Sequence, residues 1–260
     1  MAIFKVYRGD AAGGEEKAYE VPPAPGQVVL DAIHYIQANQ SQDLAVRWNC
    51  KAAKCGSCSA EINGKPGLMC KTRVDQFGDE EIHVHPMKAF PLIKDLVTDV
   101  SWNYKVNKKI QPFTYAEDEP LPFVIQQEDV DRSIEFRKCI ECFLCQDVCH
   151  VLRDHHKHEE GQAEYFGPRF MIRVAGLEMH PKDIGDRIDQ LQGEGGIGYC
   201  NITKCCTEVC PEHIHITDNG IIPLKERVAD RYFDPIRTVL RKLSPKKERK
   251  PAAESLTAGK

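Results

Sequence analysis

The first hundred residues alternate apolar and polar side chains over short runs, which is the two-residue period of β-strands. Four strands are predicted there: Ile3–Tyr7, Tyr19–Val21, Ser59–Ile62 and Glu81–Val84. The stretch Ala11–Lys17, which contains two glycines, predicts a turn, and Asn63-Gly64 predicts a tight hairpin. Apolar residues between Val28 and Ile36 recur with a helical period. This part of the chain is therefore predicted to be a small β-rich domain with one helix.

Beyond this region the pattern becomes helical. Leu92–Val100 predicts a short helix, and the proline-rich, acidic segment Gln111–Pro122 predicts a connecting loop. Helical spacing predicts four later helices: Glu128–Phe136, Arg169–Met179, Lys182–Leu191 and Pro235–Leu243. The predicted fold class is α+β, with a β-rich domain at 1–105, a connecting segment at 106–126, a helical domain at 127–245 and a polar, basic tail at 246–260.

Composition narrows the class of protein. The 260 residues carry a formal charge of −4, which argues against a dedicated nucleic-acid binder. No run approaches the ~20 apolar residues of a membrane-spanning helix. The first residues also lack the basic and apolar regions of a secretory signal. We therefore expect an intracellular protein, in which cysteines stay reduced unless a metal binds them.

The twelve cysteines fall into three groups of four, separated by long stretches without cysteine. Disulfides spread along a chain do not produce this distribution, whereas ligand sets for compact metal centres do. The groups are Cys50, Cys55, Cys58 and Cys70; Cys139, Cys142, Cys145 and Cys149; and Cys200, Cys205, Cys206 and Cys210.

The first group has the C-x4-C-x2-C spacing of plant-type ferredoxins, in which four thiolates hold a [2Fe–2S] cluster. Gly56 and Ser57 separate two of these cysteines, and such small residues let backbone N–H groups approach the sulfurs. Cys70 follows the predicted Asn63-Gly64 turn. The order of strands, helix and cysteine loop is that of the β-grasp fold of these ferredoxins.

The second group has the C-x2-C-x2-C-x3-C run of bacterial ferredoxins, whose fourth cysteine ligates the other cluster. The third group repeats that run, but Thr203 replaces its second cysteine. Because an iron without a thiolate at that corner is expected to be absent, one cluster is predicted to be [3Fe–4S]. The predicted ligands are Cys139, Cys142, Cys145 and Cys210 for a [4Fe–4S] cluster, and Cys149, Cys200 and Cys206 for the [3Fe–4S] cluster.

Two alternatives accompany this assignment. Zinc sites also use C-x2-C pairs, but zinc needs only two such pairs for each ion, and all three spacings here fit iron–sulfur clusters better. Cys205 is left over after the assignment. We expect it to be a free, partly buried thiol, with a ligand or redox role as the alternative.

Three motifs in this order, over roughly residues 1–240, resemble the iron–sulfur subunit of succinate dehydrogenase and quinol:fumarate reductase. The stretches that carry the resemblance are Cys55-Gly-Ser-Cys58, Ile62-Asn-Gly-Lys65, Phe90-Pro-Leu-Ile-Lys-Asp-Leu96, Cys139-Ile-Glu-Cys142 and Val209-Cys-Pro211. The resemblance implies a β-grasp [2Fe–2S] ferredoxin domain followed by an all-α, bacterial-ferredoxin-like domain.

The resemblance also implies a function. Electrons would pass from the FAD of a flavoprotein subunit through [2Fe–2S], [4Fe–4S] and [3Fe–4S] clusters to quinone beside a membrane-anchor subunit. The chain would perform no substrate chemistry itself, and it would lie peripherally on the cytoplasmic face of the inner membrane. The alternatives are the same relay in reverse, as in quinol:fumarate reductase, service to another flavoprotein dehydrogenase, or a non-redox metal scaffold.

This chain departs from the family pattern near two of the predicted clusters. Lys51-Ala-Ala-Lys54 replaces the usual Glu-Gly pair, and the added positive charge is expected to raise the [2Fe–2S] potential. His150 and Asn201 occupy positions that line the quinone pocket of the ubiquinone-linked branch, which has other residues there, and Thr203 is a further candidate neighbour of the quinone. We therefore expect menaquinone rather than ubiquinone as the partner quinone.

Two other features each allow two interpretations. One is a dense histidine group, which either relays protons near the quinone or lies on a solvated helix face: His150, His155, His156 and His158. The other is a basic C-terminal stretch, which either contacts anionic lipid or is an ordinary solvated tail: Arg237, Arg241, Lys242, Lys246, Lys247, Arg249 and Lys250.

Overall fold

The computed structural model describes residues 1–155 and 165–243, which form two compact units. The first unit comprises 1–104, 139–155 and 203–214, and the second comprises 105–138, 165–202 and 215–243. Two cysteine-bearing segments, 139–155 and 203–214, therefore group with the N-terminal hundred residues. The division into contiguous domains with boundaries at 105 and 127 remains a prediction. Residues 156 and 158 of the histidine group and the tail at 246–260 lie outside the described residues.

The first unit is built on a mixed seven-stranded sheet. Its strands are β1 (Ala2–Asp10), β2 (Gly13–Val21), β3 (Ser59–Ile62), β4 (Lys65–Leu68), β5 (Ile82–His85), β6 (Leu92–Lys94) and β7 (Val97–Thr98). The order is β4-β3-β5-β1-β6-β7, with β2 paired to β1. β1 runs antiparallel to β2 and parallel to β5. The pair of β1 and β5 is the only parallel pair among the described strands.

Helix α1 (Val29–Asn39) covers this sheet and confirms the helix predicted between Val28 and Ile36. The helix in the structure ends three residues later than predicted. Its buried side chains recur at helical spacing, which gives the helix one apolar face. The side chains of that face belong to the same hydrophobic core as the buried residues Phe4, Val6 and Val84 of β1 and β5. The predicted Asn63-Gly64 hairpin is present, with positive φ angles of 46° and 76°.

Two predictions in this unit are wrong. The predicted turn at 11–17 is confined to Ala11 and Ala12, and Gly13 already begins β2. The predicted helix at 92–100 is instead the hairpin of β6 and β7. Asp95 holds this hairpin, since its buried carboxylate accepts backbone N–H groups of Gly9 at 3.0 Å and Ala45 at 2.8 Å. Such long-range hydrogen bonds outweigh the local helical pattern.

The second unit is helical, which confirms the α+β class. The helices that follow α1 are α2 (Ser101–Asn107), α3 (Gln127–Ile134), α4 (Leu144–Asp147), α5 (His150–His155), α6 (Gly167–Glu178), α7 (Ile188–Gln192), α8 (Cys205–Glu208), α9 (Ile222–Tyr232) and α10 (Pro235–Leu243). The short helices α4, α5 and α8 belong to the first unit. In the second, α6 is the most deeply buried helix and packs against α3 and the short π-helix Ile216–Ile221.

The helix predicted at 182–191 is only partly correct, because α7 begins at Ile188. The preceding residues form a loop around the buried Arg187 guanidinium. Its Nη2 lies 2.9 Å from the Asp183 carboxylate, and its Nε donates to the Gln111 carbonyl at 2.8 Å. A Cβ on Gly185 would lie 2.8 Å from that guanidinium, so the loop and the buried charge fit each other. Within the described residues, no helix is long and apolar enough to cross a membrane.

Candidate iron–sulfur cluster sites

The first cysteine loop wraps its backbone around the sulfur atoms. Lys51 and Ala53 adopt positive φ angles of 56° and 54°, which turns successive N–H groups inward. The sulfurs of all four cysteines accept backbone N–H groups at 3.3–3.4 Å: Cys50 from Ala52 and Lys54, Cys55 from Cys50, Cys58 from Cys70, and Cys70 from Ala53. Hydrogen bonds of this kind stabilise thiolate charge and tune the potential of a bound cluster.

The electrostatics of this loop differ between its cysteines. Burial alone would raise the pKa of Cys55, but hydrogen bonds from Ser57 and from the Cys50 backbone lower that pKa to about 6. Cys58 is buried, and the loss of hydration raises its pKa to about 12. Metal ions deprotonate such thiols on binding, so the site suits a cation that supplies the missing positive charge.

The first cysteine loop touches the second. Gly56, at φ +67°, lies so close to Cys142 that an added Cβ would be 2.6 Å from the Cys142 Cα. The Ser59 hydroxyl lies 2.8 Å from the Cys142 carbonyl oxygen and 3.0 Å from that of Gly56, so its single proton is shared between the two acceptors. The prediction for Gly56 was therefore incomplete, because the glycine also makes room for the neighbouring loop.

The second and third cysteine runs have the same local backbone conformation. Glu141 and Phe143 have positive φ angles in the second run, and Ile202 and Lys204 have them at the matching places in the third. Each run then enters a four-residue helix, α4 or α8. By this repeat, Thr203 stands where the second run has Cys142.

The cysteines of these runs are buried to different degrees. Cys142, Cys145, Cys149 and Cys206 are less than a tenth exposed, and Cys139 and Cys210 are half-buried. Burial raises the pKa of Cys142 to about 12 and raises that of Cys145 well above the ordinary thiol value, and the thiols of Cys139 and Cys210 act on both in the same direction. Thiolates so placed need positive charge beside them, which the iron of a cluster provides.

An ionic network around the buried Glu61 carboxylate ties strand β3 to the segment that carries the second run. Glu61 is 1% exposed, and its carboxylate pairs with the Arg153 guanidinium and with Lys88 Nζ, the latter at 2.6 Å. Burial raises the pKa of Asp147 to about 6, although the Ala89 N–H donates to its carboxylate at 3.0 Å. Sequence reasoning missed these residues, because no local spacing marks a carboxylate and its distant partners.

The candidate quinone-pocket residues are placed individually. His150 is half-buried at the start of α5, directly after Cys149. Asn201 and Thr203 are exposed, and the Thr203 Oγ1 lies 3.3 Å from the sulfur of Cys205. Cys205 is half-buried, as expected for the leftover thiol, and none of the twelve cysteines forms a disulfide. Cys200 belongs to the second unit, and its part in a ligand set remains a prediction from spacing.

Family models support the division of the cysteines into two kinds of module. The model of a 2Fe–2S iron–sulfur cluster binding domain matches residues 3–105, and that of a 4Fe–4S dicluster domain matches residues 135–214. The thiol-rich donor sets and inward N–H groups fit both kinds of cluster. Fold and sites therefore define an iron–sulfur protein with several clusters, built for electron transfer.

Individual relatives narrow this class. A chain of the Mycobacterium smegmatis Sdh1 complex in the apo form is 61% identical, covers 90% of this chain and 98% of its own, and has a TM-score of 0.86. The fumarate reductase iron–sulfur subunit of Mycobacterium tuberculosis is 30% identical over 76% of this chain and 80% of its own length. An uncharacterized iron–sulfur protein of Methanococcus maripaludis is 32% identical over 84% of this chain, and the match spans 42% of that protein.

The chain belongs to the family of succinate dehydrogenase and fumarate reductase iron–sulfur subunits. The resemblance found in the sequence motifs is thereby confirmed, as is the role of the chain as an electron-transfer subunit of an oxidoreductase.

Proposed function

We propose that this chain carries electrons from the FAD of a flavoprotein subunit to menaquinone beside a membrane-anchor subunit, in a succinate:quinone oxidoreductase. The observation that carries the proposal is the direct contact of two cysteine loops, in which Gly56 packs against Cys142. Loops in contact would hold their clusters close together, and bound clusters would supply carriers that each take up and release one electron.

The ligand sets of this proposal follow the spacing. Cys50, Cys55, Cys58 and Cys70 would hold [2Fe–2S]; Cys139, Cys142, Cys145 and Cys210 would hold [4Fe–4S]; and Cys149, Cys200 and Cys206 would hold [3Fe–4S]. The thiols of Cys139 and Cys210 raise the pKa of both Cys142 and Cys145, as Cys206 does that of Cys145, so the sulfurs of the second set lie close together and beside one of the third. The matching backbone of the two runs, with Thr203 at the place of a ligand, supports the third.

The residues around the loops would set the potentials. Lys51 Nζ lies over the Trp48 ring at 4.9 Å, and Lys54 Nζ lies 3.5 Å from the Glu212 carboxylate. The Glu212 charge partly offsets that of Lys54. We therefore expect the increase in the [2Fe–2S] potential to come mainly from Lys51.

A membrane-anchor partner is supported by helix α10. Ile236, Val239, Leu240 and Leu243 recur at helical spacing, and each is more than half exposed. An exposed apolar face of this kind is typical of an interaction surface. We propose that the anchor subunit covers it, which would hold the chain peripherally on the cytoplasmic face of the membrane.

Metal analysis and EPR test the electron-transfer proposal. Anaerobically purified protein should contain about nine irons and ten sulfides per chain, as one cluster of each kind requires. The oxidised sample should give the narrow signal of a three-iron cluster, and dithionite should replace it with the rhombic signal of [2Fe–2S]. A zinc-rich, EPR-silent sample from a preparation shown to retain its metal would refute the proposal.

Measurements on the assembled complex test the direction of electron flow and the type of quinone. Succinate oxidation coupled to a menaquinone analogue should be faster than coupling to a ubiquinone analogue. A preference for ubiquinone would contradict the interpretation of His150 and Asn201, and fumarate reduction with negligible succinate oxidation would favour the reverse relay.

The double variant Ile236→Glu/Leu240→Glu tests the anchor surface. It should lose co-purification with the anchor while retaining its clusters. Val124→Glu, at an exposed apolar residue outside α10, is the matched control and should still co-purify. Equal retention of the anchor by both variants would exclude α10 as the contact.

A further inference from the structure

A second group of metal-binding side chains lies on the N-terminal sheet, apart from the cysteines. Strand β5 alternates, so that Ile82 and Val84 are buried in the core while His83 and His85 point to the opposite face. On the other side of β1, strand β2 places Glu16 opposite Tyr7 on that same outer face. Two strands that flank β1 thus bring two imidazoles and a carboxylate together.

The three side chains converge on a small volume. The Glu16 Oε1 atom lies 2.9 Å from His83 Nδ1 and 2.5 Å from His85 Nε2, and all three atoms lie within 4.8 Å of one another. Ligand atoms ~2.0–2.2 Å from a tetrahedral zinc ion stand about 3.3–3.6 Å apart. Side-chain rotations alone can therefore bring these three atoms to metal-binding distances.

The surroundings also suit a cation. Glu81 Oε2 lies 3.9 Å from His83 Nε2, the ring nitrogen that faces away from Glu16. Metal-bound histidines usually donate their second ring N–H to a carboxylate, which fixes the ring and strengthens the ligand. Glu81 also pairs with Lys5 Nζ at 2.9 Å, which holds its carboxylate beside the site. The His83 and His85 side chains are 38% and 28% exposed, so an ion can enter from solvent.

We propose that Glu16, His83 and His85 bind one divalent transition-metal ion of the zinc type, with Glu81 orienting His83 and water completing the coordination. Two neutral imidazoles and one carboxylate are a ligand set that zinc prefers. The bound ion would cross-link β2 to β5 over the central strand β1. It would stabilise the sheet that carries the first cysteine loop, without taking part in electron transfer.

The experiment uses the full-length, cluster-loaded protein under anaerobic conditions. Zinc is titrated in the presence of a competing chelator, and iron is counted on the same samples. The wild type should bind one added zinc ion with all of its iron retained, and its unfolding temperature should rise with zinc concentration. The variants Glu16→Gln and His83→Gln/His85→Gln should lose both effects.

Two further variants sharpen the test. Glu81→Gln should weaken zinc binding by about 10–100-fold, which is the usual effect of removing an outer-shell partner. The control variant is His215→Gln. His215 forms a simple pair with the Glu135 carboxylate at 2.7 Å, so this variant should bind zinc like the wild type. The proposal is wrong if the wild type binds no added zinc. It is equally wrong if the amount of zinc bound by the wild type equals the amount of iron lost. Unchanged zinc binding in the Glu16 and histidine variants would also refute it.

Discussion

The contact between the first two cysteine loops makes a quantitative prediction about Gly56. A Cβ at this position would lie 2.6 Å from the Cys142 Cα and 2.8 Å from its Cβ and backbone nitrogen. An L-residue at φ +67° costs about 1–2 kcal/mol, and overpacking against backbone adds about 1–3 kcal/mol. Gly56→Ala should therefore destabilise the first unit by about 2–5 kcal/mol.

Gly64→Ala is the matched control, because Gly64 also has a positive φ (76°) but nothing lies within 4 Å of its added Cβ. It should carry only the backbone cost, so the two variants should differ by the overpacking alone. At about 2–4 °C for each kcal/mol, Gly56→Ala should unfold about 2–12 °C below Gly64→Ala.

The measurement is the apparent unfolding temperature of cluster-loaded protein at one fixed scan rate. EPR spectra of the reduced [2Fe–2S] and [4Fe–4S] clusters are recorded on the same samples. The cluster signal that depends on Cys142 should weaken in Gly56→Ala and persist in Gly64→Ala. Equal unfolding temperatures and equal spectra in the two variants would show that the loops do not touch as described.

Three other substitutions test separate parts of the structure. Thr203→Cys should convert the three-iron cluster to a four-iron cluster of lower potential, seen as loss of the oxidised EPR signal and gain of a reduced one; an unchanged spectrum would contradict the ligand assignment. Cys205→Ala should leave all three clusters intact, and iron loss in that variant would show that the thiol is a ligand. Glu135→Gln should lower stability by about 1–3 kcal/mol, since the Glu135 carboxylate accepts the His215 N–H at 2.7 Å and the Asn219 amide at 2.6 Å. Burial alone would raise the pKa of Glu135, but the hydrogen bonds from His215 and Asn219 lower it. The difference in stability between the wild type and Glu135→Gln should therefore be constant near neutral pH and shrink only as pH falls below the ordinary glutamate value of 4.5. A gap that instead widens on acidification would show that the carboxylate is not stabilised in its charged form.

The features that sequence predicted well are local. The Asn63-Gly64 turn needs positive φ at both residues, and α1 needs only one apolar stripe. The two kinds of cluster-binding module were likewise predicted from cysteine spacing, and family models match them over residues 3–105 and 135–214. The turn and the helix are each encoded within about a dozen consecutive residues, so no knowledge of distant partners was required for them.

The features that sequence missed depend on residues far apart in the chain. Asp95 folds the 92–98 hairpin because its carboxylate accepts the Gly9 and Ala45 N–H groups. Arg187 keeps its preceding residues out of a helix because its guanidinium binds the carbonyls of Gln111 and Pro112. In each case one buried charge outweighs the local propensity of several residues.

The backbone at Ile202 bears on the three-iron assignment. A β-branched residue with a φ of 62° is strained, and such strain persists only where the surrounding structure requires it. Glu141 adopts the same region at the matching place in the second run, which has a full set of cysteines. The third run thus keeps the conformation of a cluster-binding loop although Thr203 replaces a ligand. A loop that no longer held a cluster would have no reason to keep this strain, so its retention agrees with the proposed [3Fe–4S] cluster of Cys149, Cys200 and Cys206.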